Sequence, residues 1–271
     1  MSQTSNTEKM NRNTSNSFCS SFIDDSHTDY ELFEKSCSDI IGRGQGLHGI
    51  GTLGEKTVHA VLKNYYGPDT KWQEIKIGSF VADICREGEI FEIQSKNFYL
   101  MKKKLEYFLQ DYEVTIVYPV VIEKYLRYVN PETGEIAPPR KSNKKGHIYQ
   151  IVPELYSIRE FLHYENLHFI LSFITMEEYK LLDGFGKDKK KGGTKTDRIP
   201  TAILGEYHLY SIADLITFLP YDLPDIFTSK ELSALAKCSL REAQILLNLL
   251  QYFHQIKYVG NKNRYRQYQR I

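Results

Sequence analysis

Two short apolar runs separated by a polar turn, Phe80–Cys85 and Ile90–Ile93, constrain this chain more than any other segment. Ile90, Phe91 and Ile93 favour extended backbone. The first run, joined to them through Arg86, Glu87, Gly88 and Glu89, supplies an antiparallel neighbour. A strand repeats every two residues, so Glu92, Gln94 and Lys96 share one face, and the hairpin brings Asp83 beside Glu92. Oxygen ligands converging with a cation suit a hard divalent metal, Mg2+ or Mn2+. Such a metal polarises a phosphoryl oxygen and acidifies a bound water, while an ammonium offsets transition-state charge, so these residue types suit phosphodiester hydrolysis. An ordinary exposed strand face gives the same alternation when its other face is buried.

The flanking sequence weighs on that choice. Gly51–Tyr66 reads as a helix with Val58, Val61, Leu62 and Tyr65 on one buried stripe and Glu55 in its first turn. After the hairpin come a helix over Leu100–Tyr112 and an apolar strand, Val114–Val121. The order Glu55, Asp83, Glu92 within this helix–hairpin–helix–strand series, over roughly residues 50–122, resembles the PD-(D/E)xK nuclease superfamily. The resemblance implies an α/β restriction-endonuclease-like fold, a mixed sheet flanked by helices. It also implies that Asp83 and Glu92 hold magnesium, that Glu55 supports a second metal or the hydration shell, and that Lys96 with Gln94 places the nucleophilic water. The family carries Lys two residues after the acid, where this chain has Gln94, which can hydrogen-bond a water but supplies no charge. Lys96 is the next same-face position, about 7 Å further along a strand.

At 271 residues the chain has room for one large domain or two smaller ones, and 41% apolar with 13% aromatic residues supply a core. Residues 1–26, rich in Ser, Asn and Thr, are expected to be disordered. Residues 27–220 are expected to form the nuclease-like domain, starting with a short helix over Thr28–Ile41. Within it, Tyr125–Val129 and His147–Val152 read as strands, Ile158–Tyr164 as a helix, and Leu167–Ile174 as a buried strand. Two basic loops interrupt it, Arg140–Lys145 and Gly184–Thr196, the second carrying Lys187, Lys189, Lys190, Lys191 and Lys195.

From residue 221 the pattern changes. Thr228 with Glu231 gives a helix-start signal, and Ser239 restarts a helix after a turn at Lys237–Cys238. Leu232, Leu235 and Ala236 would pack under Ala243, Leu246, Leu247 and Leu250. This resembles a winged helix-turn-helix, with Arg241 and Gln244 near the groove-facing end and Ile256–Arg270 as the wing. That wing holds Lys257, Lys262, Arg264, Arg266 and Arg270 without an acid, interleaved with Tyr258, Tyr265 and Tyr268, a composition that favours DNA. A protein-binding winged helix with solubilising charges fits the same residues.

Several classes are excluded. Gly49–Thr57 nearly spells a phosphate-binding loop, but Glu55 between the last Gly and Lys56 turns the lysine about 100° out of place. Cys19, Cys37, Cys85 and Cys238 lack metal or disulfide spacing, which fits a reducing cytoplasm. No apolar run approaches the ~20 residues that span a bilayer. His59, four residues after Glu55, reads as a structural histidine, and Lys102, Lys103 and Lys104 as a solvated face, with phosphate contact left open by their nearness to the active strand. The expectation is a metal-dependent deoxyribonuclease delivered by a winged helix, with a homodimer left open. The competing expectation is a non-catalytic DNA-binding regulator that keeps the fold.

Overall fold

The computed structural model describes residues 21–43, 56–183 and 194–271. Helix α1 (Tyr30–Arg43) begins where Asp29 accepts the Leu32 amide at 2.9 Å, a side-chain cap. Helix α2 (Lys56–Tyr66) turns Val61, Leu62 and Tyr65 inward, as their spacing requires. Phe33 of α1 meets Tyr65 edge-on with ring centroids 5.5 Å apart, which joins the two helices into one layer. Residues 1–20 lie outside the described residues, but the polar tail does not extend to residue 26. Phe22 is buried against Tyr207 and Phe218, and Asp24 exchanges two backbone hydrogen bonds with Glu206. One aromatic anchor with two ladder bonds outweighs the polar composition around it. Phe22→Ala is expected to cost about 3 kcal/mol in urea denaturation, the price of an emptied aromatic pocket. An unchanged midpoint would show that the segment is not docked.

Strands β1 (Gln73–Ile77), β2 (Phe80–Arg86) and β3 (Glu89–Ile93) form an antiparallel meander. The β2–β3 turn has positive φ at both central residues, 50° at Glu87 and 89° at Gly88, the geometry that matches strand twist in a two-residue hairpin. Helix α3 (Lys102–Phe108) then crosses to β4 (Glu113–Val129), which runs parallel to β3. β5 (Arg140–Lys141) pairs with the far end of β4. After helix α4 (Val152–Ser157), β6 (Leu167–Leu181) runs parallel to β4, and β7 (Thr194–Leu209) returns antiparallel to β6. The result is one mixed sheet in the order β1-β2-β3-β4-β6-β7.

Three sequence expectations fail in the middle of this domain. Val114–Val121 and Tyr125–Val129 belong to one strand, because β4 continues past a register irregularity near residue 122. His147–Val152 is helical rather than extended: a 3-10 turn at Ile148–Ile151 leads into α4, whose second residue is Pro153. Proline near a helix start needs no amide partner, and Ile148, Ile151, Val152 and Leu155 are buried at helical spacing. The helix expected over Ile158–Tyr164 is a single 3-10 turn, Arg159–Phe161.

α1 and α2 cover one sheet face over Ile84, Phe91, Ile93, Val117, Ile170 and Ile174. α3 and α4 cover the other over Ile90, Val114, Ile116 and Leu171. Burial on both faces explains the unbroken apolar runs of the central parallel strands. The second cluster continues into the C-terminal elements β8 (Ile226–Thr228), α5 (Ser229–Ala236), α6 (Leu240–Tyr252), β9 (Ile256–Lys262) and β10 (Tyr265–Arg270). Both helices start with reciprocal caps, Thr228 with Glu231 and Ser239 with Glu242, and Lys237 ends α5 at φ 52°. The three strands form a small sheet, β8-β10-β9. Gln255, between α6 and β9, donates to the Ile212 carbonyl at 2.7 Å, so a polar bond also ties these elements to the main body.

Candidate active site

The β2–β3 ladder pairs residues only as far as Ile84 with Phe91. Beyond that point side chains fill the gap between the strands. The Ile93 amide donates to Asp83 Oδ2 at 2.8 Å, and the Asp83 amide donates to Glu92 Oε1 at 3.3 Å. The two acids predicted from the hairpin are therefore neighbours across this gap, Asp83 bonded to His59 of α2 on one sheet face and Glu92 to Lys104 of α3 on the other. Burial, reinforced by the charge of Asp83, pushes the Glu92 carboxyl up to about 7, with Lys104 pulling the other way. Burial raises Asp83 as well, but the hydrogen bond and charge of His59, the Ile93 amide and Lys104 outweigh it and leave Asp83 below its ordinary value.

The cation beside Glu92 is not Lys96. Lys104 on α3 places Nζ 2.6 Å from Glu92 Oε2 and over the Phe108 ring. The expectation that Lys102, Lys103 and Lys104 form one solvated face is thus wrong for Lys104, and Lys102 is ion-paired with Glu160. The signal was in the spacing: Met101, Leu105 and Phe108 are buried, and Lys104 falls on their stripe. His59 also joins the site, with Nε2 3.0 Å from Asp83 Oδ2.

Glu92, Gln94 and Lys96 do not share a strand face, because β3 ends at Ile93 and residues 94–96 turn away. The cause lies on β4. The Gln94 amide donates to the Val117 carbonyl at 2.9 Å. The next bond of a parallel ladder would run from the amide of residue 119 to the Gln94 carbonyl, and Pro119 has no amide hydrogen. β3 leaves the sheet there and opens a cleft of 680 Å³. His59, Lys63, Gln94, Lys96 and Arg198 are among the residues that line it. Asp83 and Glu92 do not line it directly; they lie behind its wall, through His59 and Ile93. Lys63 is held by an ion pair with Glu74, and Lys96 is exposed. Glu55 lies outside the described residues. Among the described residues no set of three or more His, Cys, Asp or Glu side chains is grouped to hold a metal ion.

At the C-terminus, Arg241 and Gln244 are exposed on α6, and Lys257, Arg264 and Arg266 are exposed on the β9–β10 hairpin. Arg264 stacks on the Tyr265 ring at 5.4 Å. Two other wing cations are engaged within the chain: Lys262 pairs with Glu231 at 3.0 Å, and Arg270 donates to the Pro220 carbonyl at 2.6 Å. Cys37, Cys85 and Cys238 are free thiols, and no described helix is long and apolar enough to cross a membrane.

Fold and site together define a mixed α/β protein whose large helix-flanked sheet holds a buried Glu92 beside a partly buried Asp83 where one of its ladders opens. The chain belongs to a family described as a domain of unknown function (DUF8091), whose model matches residues 56–210, more than half of its length. It is 29% identical over 185 residues to an uncharacterized protein from Treponema pallidum (strain Nichols), an alignment covering 68% of this chain and 73% of that protein. No solved structure matches significantly. The matched segment contains Asp83, Glu92, Lys104 and the cleft, and it ends before the C-terminal helices.

Proposed function

We propose that this protein is a metal-dependent deoxyribonuclease of the PD-(D/E)xK type, with a C-terminal winged helix-turn-helix that adds contacts to DNA. The observation that carries this reading is the pairing of the buried Glu92 with Asp83 across the opened ladder, where Glu92 accepts the Asp83 amide and Asp83 accepts the Ile93 amide; burial and the charge of Asp83 raise the Glu92 carboxyl there. Two acids drawn together where a ladder opens beside a cleft, with Lys104 and His59 offsetting only part of their charge, make a place suited to a cation. The donor set fits magnesium or manganese, since both groups offer hard oxygen ligands. Glu55 remains the third acid of the resemblance and lies outside the described residues.

Asp83 and Glu92 would hold the metal, which when bound supplies Lewis-acid polarisation of a phosphoryl oxygen and a more acidic water. His59 fixes the Asp83 carboxylate by its bond to Oδ2. Lys104 offsets part of the Glu92 charge and supplies the cation that the sequence pattern placed at Lys96. Gln94, on the cleft wall, offers an amide that accepts from and donates to a water. Lys96, exposed at the same wall, is suited to a phosphate oxygen of the substrate. The α5–α6 pair followed by a hairpin that closes on β8 supports the winged-helix reading. On this reading α6 presents Arg241 and Gln244 to DNA, the hairpin presents Lys257, Arg264 and Arg266, and the protein works in a reducing cytoplasm.

Purified protein with mixed DNA and magnesium tests the proposal: cleavage that stops on adding EDTA supports it. Metal-independent binding with no cleavage supports the regulator instead, a reading favoured by Gln94 in place of the family's lysine. A second expectation concerns the hairpin. Arg264→Ala with Arg266→Ala should flatten the dependence of log affinity on log salt by about 0.9 per lost phosphate contact. An unchanged slope removes the wing from the interface.

A further inference from the structure

Beyond the core, β4, β6 and β7 run on together as an extension from about residue 121 of β4 to its end at Val129. On β6 of this extension sits Glu178, only 1% exposed. Three cations reach its carboxylate: Lys124 of β4 at 3.3 Å, Lys180 of β6 at 3.5 Å and Arg198 of β7 at 3.4 Å. Lys124 and Lys180 have no other carboxylate partner among the described residues. Two ammonium groups sharing one carboxylate carry a surplus charge before Arg198 is considered. Neighbouring Glu177 and Arg127 instead form a one-to-one pair at 2.8 Å.

Position gives the surplus its meaning. Met176, Glu178 and Lys180 alternate onto one face of β6, and Met176 and Arg198 both line the cleft beside Asp83 and Glu92. Arg198 therefore joins the cluster to the cleft, and Lys124 and Lys180 lie along the same face further out on the sheet. Glu92 is level with Ile116 of β4, eight residues before Lys124. At ~3.3 Å per residue this places Lys124 roughly 26 Å along the strand from the level of the carboxylates, the length of about eight base pairs of duplex.

We propose that Lys124, Lys180 and Arg198, oriented by the buried Glu178, form a second site for a backbone phosphate of the DNA whose cleavage was proposed above. The assignment rests on that reading for the identity of the polyanion. Glu178 holds the three stems in place in the free protein, so little side-chain freedom is lost when a phosphate arrives. Arg198 reaches back to the cleft, whereas Lys124 and Lys180, further out, act on long substrates and not on short ones.

The test is DNA binding by the full chain in EDTA, where no cleavage occurs, read by fluorescence anisotropy across a salt series. Lys124→Gln with Lys180→Gln keeps the stems and leaves Arg198 on Glu178. It is expected to lower the salt slope for a 30-base-pair duplex by nearly two units, at about 0.9 per phosphate. For a duplex of about four base pairs, too short to span both places, the slope should not change. If the double variant fails to fold, Lys124→Gln alone should lower the slope by nearly one. An unchanged slope for the long duplex in a folded variant overturns the site. So does an equal change with both lengths, which would mean a general loss of charge. Protein that shows the expected slopes yet never cuts DNA with magnesium keeps this site and removes the nuclease. Protein that cuts but shows no slope change does the reverse.

Discussion

Asp83→Asn and Glu92→Gln should each lower magnesium-dependent DNA cleavage by on the order of 1,000-fold while the protein stays folded. Each change removes one ligand charge from a site where the metal is proposed to contribute several kcal/mol of transition-state stabilisation, and each factor of ten corresponds to about 1.4 kcal/mol. Both substitutions are chosen to spare the structure. Asn at 83 keeps an oxygen acceptor for the Ile93 amide, and Gln at 92 keeps the volume of a buried side chain. Single-turnover rates with excess enzyme check the effect, with near-identical thermal melts as the control. Activity within about tenfold of the parent, roughly 1.4 kcal/mol, would remove these carboxylates from the reaction. Because the same variants would silence any cleavage that belongs to this protein, they also separate it from a contaminating nuclease.

Without divalent metal, the protein should lose stability as pH rises from about 4.5 to about 7. The Glu92 carboxyl is raised from 4.5 to about 7 in the folded chain, so over that window the folded state holds a proton that the unfolded state has released. Stability then falls with rising pH, by on the order of 3 kcal/mol at ~1.4 kcal/mol per pKa unit. Asp83 acts with the opposite sign. Its lowered carboxyl contributes stability that is complete above the ordinary value and is lost as pH falls through its folded one. A saturating metal that binds the ionised pair should flatten the upper window, since binding only the folded state adds stability at the pH where Glu92 would otherwise be strained. Urea midpoints in EDTA and in magnesium, at pH 5 and pH 8, measure this. Glu92→Gln serves as the reference, because it removes the Glu92 carboxyl and leaves every other residue unchanged. Equal pH dependence in parent and variant would refute the raised carboxyl.

The hairpin, its turn and the nearness of Asp83 to Glu92 were legible because apolar alternation and a short turn with Gly88 are local properties, although Arg86 and Glu89 pair and only Glu87 and Gly88 form the turn. The end of β3 was not. It depends on the missing amide of Pro119, which is distant in sequence and adjacent only through the parallel pairing of β3 with β4. Lys104 was misjudged as part of a run of three like charges, although the apolar residues around it mark its face as buried. His147–Val152 has the β-branched and aromatic content of a strand, and Pro153 with the burial of Leu155 decides for a helix turn. Phe22 was hidden by its polar neighbours, since an anchor of one residue has no period. The salt links around Glu178 join three strands and leave no pattern along any one of them.

Manganese-soaked crystals examined by anomalous scattering test the central claim most directly. The account predicts a peak bound by both Asp83 and Glu92 carboxylate oxygens, and magnesium in its place at about 2.1 Å from them. A well-ordered map with no peak between these two side chains, at a metal concentration that supports cleavage, would contradict it.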